Sequence, residues 1–167
     1  VSIARAFAMN PKLIVVDEAT SMIDTSLRIS LLATLKEIQG RTGVSYFFIT
    51  HDLALGRYFA QGQKMMVMYL GKIVEIGPTN DMFFNPLHPY TRALLAAIPR
   101  VLKKNRTERI LLTGDIPSPI HPPSGCPFHT RCYTKVGKIC EEHMPPYFQV
   151  GKQQVACWIY SDQNSEP

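Results

Sequence analysis

Leu13-Ile14-Val15-Val16-Asp17-Glu18-Ala19-Thr20 is the stretch from which the rest of the chain is read. Its four aliphatic residues, three of them β-branched, favour a strand. A run without polar alternation is the pattern of a strand buried on both faces of a parallel sheet. Two acids follow at once. Ligands of α/β sheets gather at the carboxyl ends of strands. Asp17 and Glu18 therefore stand where one carboxylate suits Mg2+ and the next suits orienting or deprotonating a water. For these two residues alone, an exposed acid pair at an ordinary strand-to-loop junction is an equally good account.

Outward from this point, strand and helix patterns alternate, as in an α/β layer fold. Ser2 to Met9 reads as a helix stopped by Asn10-Pro11. Thr25 or Ser26 is placed to cap a helix carrying Ile29, Leu32, Leu35 and Ile38 at helical spacing, with Gly40 as its stop. Ser45 to Ile49 is a second strand, and it ends in Thr50-His51-Asp52 before a helix over 52–60. His51 then emerges on the same sheet edge as the acids. The plain alternative is a surface histidine beside a capping Asp52. Met65 to Tyr69 and Lys72 to Ile76 predict a hairpin across Leu70-Gly71.

The order and spacing of these elements resemble the ATP-binding cassette (ABC) transporter ATPases. Leu13 to Thr20 looks like their Walker B motif, Ser21-Met22-Ile23-Asp24 like the D-loop and Thr50-His51-Asp52 like the switch-histidine loop. Val1-Ser2-Ile3-Ala4-Arg5-Ala6 looks like the helix that follows the signature sequence. The resemblance implies that Asp17 binds Mg2+ and that Glu18 is the general base for water. It also implies that His51 contacts the γ-phosphate of ATP and that Asp24 communicates across an ATPase dimer. Ile23 stands where the family more often has leucine. No Gly-x-x-x-x-Gly-Lys-[Ser/Thr] occurs in the 167 residues, and neither the glutamine loop nor the signature sequence is found. The expectation is a fragment truncated at its N-terminus that neither binds ATP tightly nor hydrolyses it alone. Its sheet, short of partners, should expose an apolar patch.

Composition shifts near residue 86: eleven of the thirteen prolines and all four cysteines lie from there on. Pro89 to Ile98 reads as a short helix with proline in its first turn. Residues 99–108 read as a basic connector; Lys103, Lys104, Arg106 and Arg109 lack interleaved aromatics, which favours a solvated linker over nucleic-acid binding. Ile110 to Thr113 is a candidate strand, whereas Gly114 to Cys126 is too rich in proline for a helix or a central strand. Leu70 to Glu75, Asn85-Pro86-Leu87-His88-Pro89-Tyr90-Thr91 and Gly114-Asp115-Ile116-Pro117-Ser118-Pro119 resemble the ATPases of oligopeptide, dipeptide and nickel importers. That resemblance implies three partners: a second ABC ATPase subunit, transmembrane permease subunits and, through the permease, an extracytoplasmic substrate-binding protein. It implies a peripheral place on the cytoplasmic face of the plasma membrane.

Cys126, Cys132, Cys140 and Cys157 sit in polar, proline-rich surroundings that do not look like a core. Two disulfides would fit poorly with a reducing cytoplasm. Four thiolates on a metal centre would fix a segment with little apolar core of its own. Zinc sites usually show Cys-x-x-Cys pairs, absent here, while a four-cysteine iron–sulfur cluster tolerates wider spacing. The resemblance favours a 4Fe-4S cluster over zinc, with Phe128, Tyr133 and Trp158 as shielding residues.

The fold class expected is α/β: an N-terminally truncated P-loop ABC ATPase domain over 1–85, then a small proline-rich, four-cysteine domain over 86–167. The rival reading is a regulatory or interaction module built on a cysteine-ligated metal centre. A net charge of +5, 46% hydrophobic and 19% charged residues are globular values. No apolar run reaches the roughly 18–20 residues of a membrane span, and no signal-peptide pattern opens the chain.

Overall fold

Parallel strands need a crossover between them, and the chain supplies one at its first sheet. In the computed structural model, which describes residues 2–20, 23–98 and 110–164, helix α1 (Ser2–Ala8) precedes strand β1 (Leu13–Asp17). Helix α2 (Thr25–Thr42) then crosses over to strand β2 (Ser45–Ile49), and α3 (Leu53–Phe59) follows. β1 and β2 are parallel, with Leu13 opposite Ser45 and Asp17 opposite Ile49. Leu32 and Leu35 of α2 are buried against Leu55 and Phe59 of α3, and Ile3, Phe7, Tyr46 and Phe48 pack around them. The Tyr46 ring meets Phe59 edge-on at 5.5 Å, and its hydroxyl donates to the Leu35 carbonyl at 3.1 Å.

The boundaries of α2 differ from expectation. Gly43, not Gly40, ends the helix: its φ of 71° is the left-handed cap conformation, and its N–H reaches the Gln39 carbonyl at 2.8 Å. Asp24, rather than Thr25 or Ser26, holds the N-cap position, without a side-chain capping bond. Ile29 is 48% exposed and so lies off the buried stripe.

Only one face of the β1–β2 sheet is covered. Leu13 and Val15 are 57% and 59% exposed, and Phe47 and Ile49 are 42% and 38% exposed. Burial of β1 on both faces is thus corrected: the helices of this unit cover the side of Val16, Tyr46 and Phe48, and the alternate residues face outward. Four large apolar side chains on two paired strands form the patch the sequence leads one to expect. The 167-residue chain is accordingly expected to self-associate in a concentration-dependent way in sedimentation equilibrium, with Val15→Lys and Phe47→Lys shifting it toward monomer. A strictly monomeric species at high concentration would contradict this.

Residues 60–167 form a second compact unit. Strands β3 (Lys64–Tyr69) and β4 (Lys72–Pro78) make the predicted hairpin, with positive φ at both Leu70 (45°) and Gly71 (75°) as a tight two-residue turn requires. Helices α4 (Thr79–Phe84), α5 (Pro89–Ala96) and α6 (Ile139–Glu142) follow, then strands β5 (Phe148–Val150) and β6 (Gln153–Val155). The sheet order is β3-β4-β6-β5. β6 pairs with β4, Glu75 opposite Val155, and so binds the hairpin to the end of the chain. The boundary between the compact units along the chain therefore falls between Phe59 and Ala60, while the composition changes near 86. Ile110 to Thr113 forms no strand, and 114–126 is irregular. The basic cluster 103–109 lies outside the described residues.

Buried polar groups organise this second unit. The Glu75 carboxylate is fully enclosed and accepts from the Leu87 N–H (2.9 Å), the His88 N–H (3.0 Å) and the Gln153 side-chain amide (3.0 Å). His88 caps α5, its Nδ1 accepting from the Tyr90 N–H at 3.0 Å, and Pro89 takes the first helical position as predicted. Burial, and after it the positive charge of Arg92, push His88 from 6.5 down to about 3. Between those values the unfolded chain binds a proton that the folded chain refuses. Stability is therefore complete above pH 6.5 and falls as pH drops toward 3, by at most about 1.4 kcal/mol per pH unit. Urea denaturation should show about 2 kcal/mol less stability at pH 5 than at pH 7. His88→Asn keeps a capping acceptor without a titrating ring and should flatten that difference; an unchanged slope would contradict the assignment.

Candidate functional site

Parallel pairing of β1 and β2 carries both strand ends to one edge. The Glu18 N–H donates to the Ile49 carbonyl at 3.1 Å, so the residue after β1 is fastened beside the end of β2. Glu18 has a φ of 44°, a left-handed conformation that costs a residue with a side chain roughly 1 kcal/mol or more. Its Oε1 lies 2.8 Å from His51 Nδ1. A carboxylate only accepts, so Nδ1 carries the hydrogen and donates it. The pair is half open to solvent, with Glu18 at 50% and His51 at 73% side-chain exposure. Its direct contribution to folding is small.

His51 is free for this contact because its neighbours do the capping. Asp52 accepts from the N–H groups of Ala54 (2.9 Å) and Leu55 (3.1 Å), while the Thr50 hydroxyl accepts from the Asp52 N–H at 3.0 Å. Asp52 thus caps α3, and His51 emerges on the edge of the acids, beside Glu18. Glu18, Thr20, Arg28, Thr50 and His51 line a small recess. Asp17 is the exposed last residue of β1, on the face of Val15, and Asp24 is exposed at the start of α2. The structure thus brings together Glu18 and His51, and leaves Asp17 and Asp24 outside the recess. Ser21 and Met22 lie outside the described residues. Sequence reasoning missed Arg28, which carries no motif signal beyond its position four residues after Asp24.

The four cysteines are free. Cys126, Cys140 and Cys157 are buried and Cys132 is partly so. The Cys126 N–H donates to the Cys140 carbonyl at 2.9 Å. Gly125 permits this approach, since a Cβ there would lie 2.6 Å from backbone atoms of Cys140 and Glu141. The Ser124 hydroxyl reinforces it through the Glu141 carbonyl at 2.7 Å. Burial pushes the Cys126 thiol up; the Phe128 backbone amide partly offsets this, and the neighbouring Cys140 and Cys132 add to it. Burial likewise pushes Cys157 up to about 11, offset by the Ile159 backbone amide and reinforced by the other three cysteines. Each sulfur is thus close enough to feel the others. Yet among the described residues no group of three or more His, Cys, Asp or Glu side chains is placed to hold a metal ion. The expected metal centre at Cys126, Cys132, Cys140 and Cys157, a 4Fe-4S cluster in preference to zinc, therefore finds no support in this geometry. A module built on such a centre gains nothing from this geometry. Of the expected shielding residues, Phe128 packs with Cys126 and Trp158 beside Cys157, while Tyr133 is exposed.

No helix among the described residues is long and apolar enough to cross a membrane. The profile of the oligopeptide/dipeptide transporter C-terminal region matches residues 74–140. The dipeptide transport ATP-binding protein DppF of Escherichia coli is 42% identical over 167 residues, covering 100% of this chain and 49% of that protein. The oligopeptide transport ATP-binding protein AppF of Bacillus subtilis is 42% identical over 165 residues, covering 96% of this chain and 49% of its own length. DppF of Haemophilus influenzae is 46% identical over 145 residues, covering 87% of this chain and 43% of that protein. The chain spans about half the length of the curated relatives it matches. Along its whole length the chain is similar to oligopeptide and dipeptide transport ATP-binding proteins, and residues 74–140 match the oligopeptide/dipeptide transporter C-terminal region.

Proposed function

We propose that the chain is the hydrolytic part of an ATP-binding subunit that drives import of oligopeptides or dipeptides, or of nickel. The observation that carries this is the 2.8 Å contact between Glu18 and His51 at two adjacent parallel strand ends, in a family whose members are named for peptide transport and ATP binding. In this reading Glu18 accepts the proton of the attacking water, and its backbone is held for that task by the bond to Ile49. His51 keeps Glu18 oriented through Nδ1; Nε2 would donate to a phosphate oxygen only when it too carries a proton. Asp17, exposed at the strand end, would hold Mg2+, whose charge offsets that of the phosphates. Asp24, at the mouth of α2, would face a second ATPase subunit. The partners are that subunit, the membrane-spanning permease and, through it, a substrate-binding protein. The subunit would sit peripherally on the cytoplasmic face of the membrane, with the C-terminal part of the nucleotide-binding domain over about 1–85 and the cysteine-bearing accessory region over about 86–167. The test is Mg2+-dependent ATP turnover by the complete subunit assembled with its permease. No turnover would end the reading.

A finer cofactor assignment is a proposal of the same kind: Cys126, Cys132, Cys140 and Cys157 hold a 4Fe-4S cluster. Its support is four free thiols, each within electrostatic range of others, of the donor type that such a cluster takes. Iron and sulfide analysis of anaerobically purified protein tests it, and the absence of both would end it.

A further inference from the structure

We infer that Arg28 is a positioning residue for ATP hydrolysis, tying the backbone of the loop before α2 to the recess that holds Glu18 and His51. This inference rests on the hydrolytic reading above. Arg28 lies in the opening turns of α2, half-buried, and its Nε–H donates to the Ile23 carbonyl at 2.6 Å. The Ile23 N–H in turn donates to the Thr20 carbonyl at 3.2 Å. Thr20 is buried, and both Thr20 and Arg28 line the recess with Glu18 and His51. Ile23 is therefore held through both its N–H and its C=O by residues that line the same recess. A displacement of Ile23 must break the Arg28 bond or drag the guanidinium relative to Glu18. That makes Arg28 the link through which the position of the loop reaches the water-activating carboxylate.

The chemistry calls for arginine. A guanidinium is planar and has five donors in a fixed fork, so Nε can bind a backbone carbonyl while the terminal nitrogens face another group. Lysine keeps the positive charge near Glu18, but its single ammonium cannot span the carbonyl and the recess together.

The experiment compares Arg28→Lys, Arg28→Ala and Glu18→Gln with the parent in the complete subunit assembled with its permease. Both Arg28 variants should lower kcat by about tenfold or more while the KM for ATP stays within about twofold. Their thermal midpoints should match the parent's. Full kcat in Arg28→Lys would overturn the inference, because charge alone would then suffice. A raised KM at unchanged kcat would overturn it too, making Arg28 a nucleotide ligand, as would a kcat loss that merely tracks a lowered midpoint. Glu18→Gln separates the two levels. If it turns over like the parent, the hydrolytic reading falls and this inference with it. If it is inactive while both Arg28 variants are normal, this inference alone falls.

Discussion

Replacing Glu18 by glutamine is expected to lower ATP turnover of the assembled subunit by roughly 10²–10⁴-fold, the usual contribution of a general base. Glutamine has the same shape and retains a side-chain oxygen to accept from His51 Nδ1, now 2.8 Å from Oε1. The left-handed backbone at residue 18 and the N–H bond to Ile49 are independent of the side chain. Fold and recess should survive, and nucleotide affinity should change little. Only the capacity to take a proton from water is removed. Turnover and ATP binding measured on the same preparation check this. Lost binding with lost turnover would assign Glu18 to holding nucleotide rather than to activating water, and retained turnover would remove it from the chemistry.

The first unit was largely legible because its signals are local. Leu13 to Val16 and Ser45 to Ile49 are short apolar runs of strand length, and the helical spacing between them marks a crossover, from which parallel pairing follows. Two residues broke the pattern. Gly40 looks like a stop, but a helix ends where the backbone turns left-handed, and only Gly43 does so. Ile29 looks like core, but the stripe that meets α3 runs through Leu32 and Leu35. No helix or strand is expected over 127–167, although Phe148-Gln149-Val150-Gly151-Lys152-Gln153-Gln154-Val155 alternates about a Gly-Lys turn. What no local pattern reveals is that β6 pairs with β4, with Gln154 opposite Ile76, 78 positions away.

The candidate site divides the same way. Glu18 and His51 are legible because each ends a strand, and strand ends converge at one edge. Arg28 was not, since its role depends on a bond to the Ile23 carbonyl that no side-chain pattern encodes. For the cysteines, spacing narrowed the ligand chemistry, but burial of the thiols was decided by folding: Cys126 meets Cys140 through backbone, beside Gly125, and forms no disulfide with it.

Glu75→Ala is expected to destabilise the second unit by about 3–5 kcal/mol, a large share of the 5–15 kcal/mol that holds an ordinary domain together. The carboxylate is enclosed and is the acceptor for the N–H groups of Leu87 and His88 and for the Gln153 amide. Alanine leaves these donors buried without it, and each unmet donor costs about 1–3 kcal/mol. It also frees the loop that leads into α5 and loosens Gln153 where β6 joins β4. Glu75→Gln keeps one oxygen but turns an amide NH2 toward donors, so an intermediate loss is expected. Gly77→Ala probes the same network from the other side. A Cβ at residue 77 would lie 2.5 Å from Gln153 Cγ, so the Gln153 side chain must move and its bond to Glu75 must suffer. Urea unfolding followed by fluorescence of Trp158, the single tryptophan, reads all three variants. A loss below about 1 kcal/mol in Glu75→Ala would mean that water replaces the carboxylate at no great cost. The buried acid would then not be what joins the hairpin to the end of the chain.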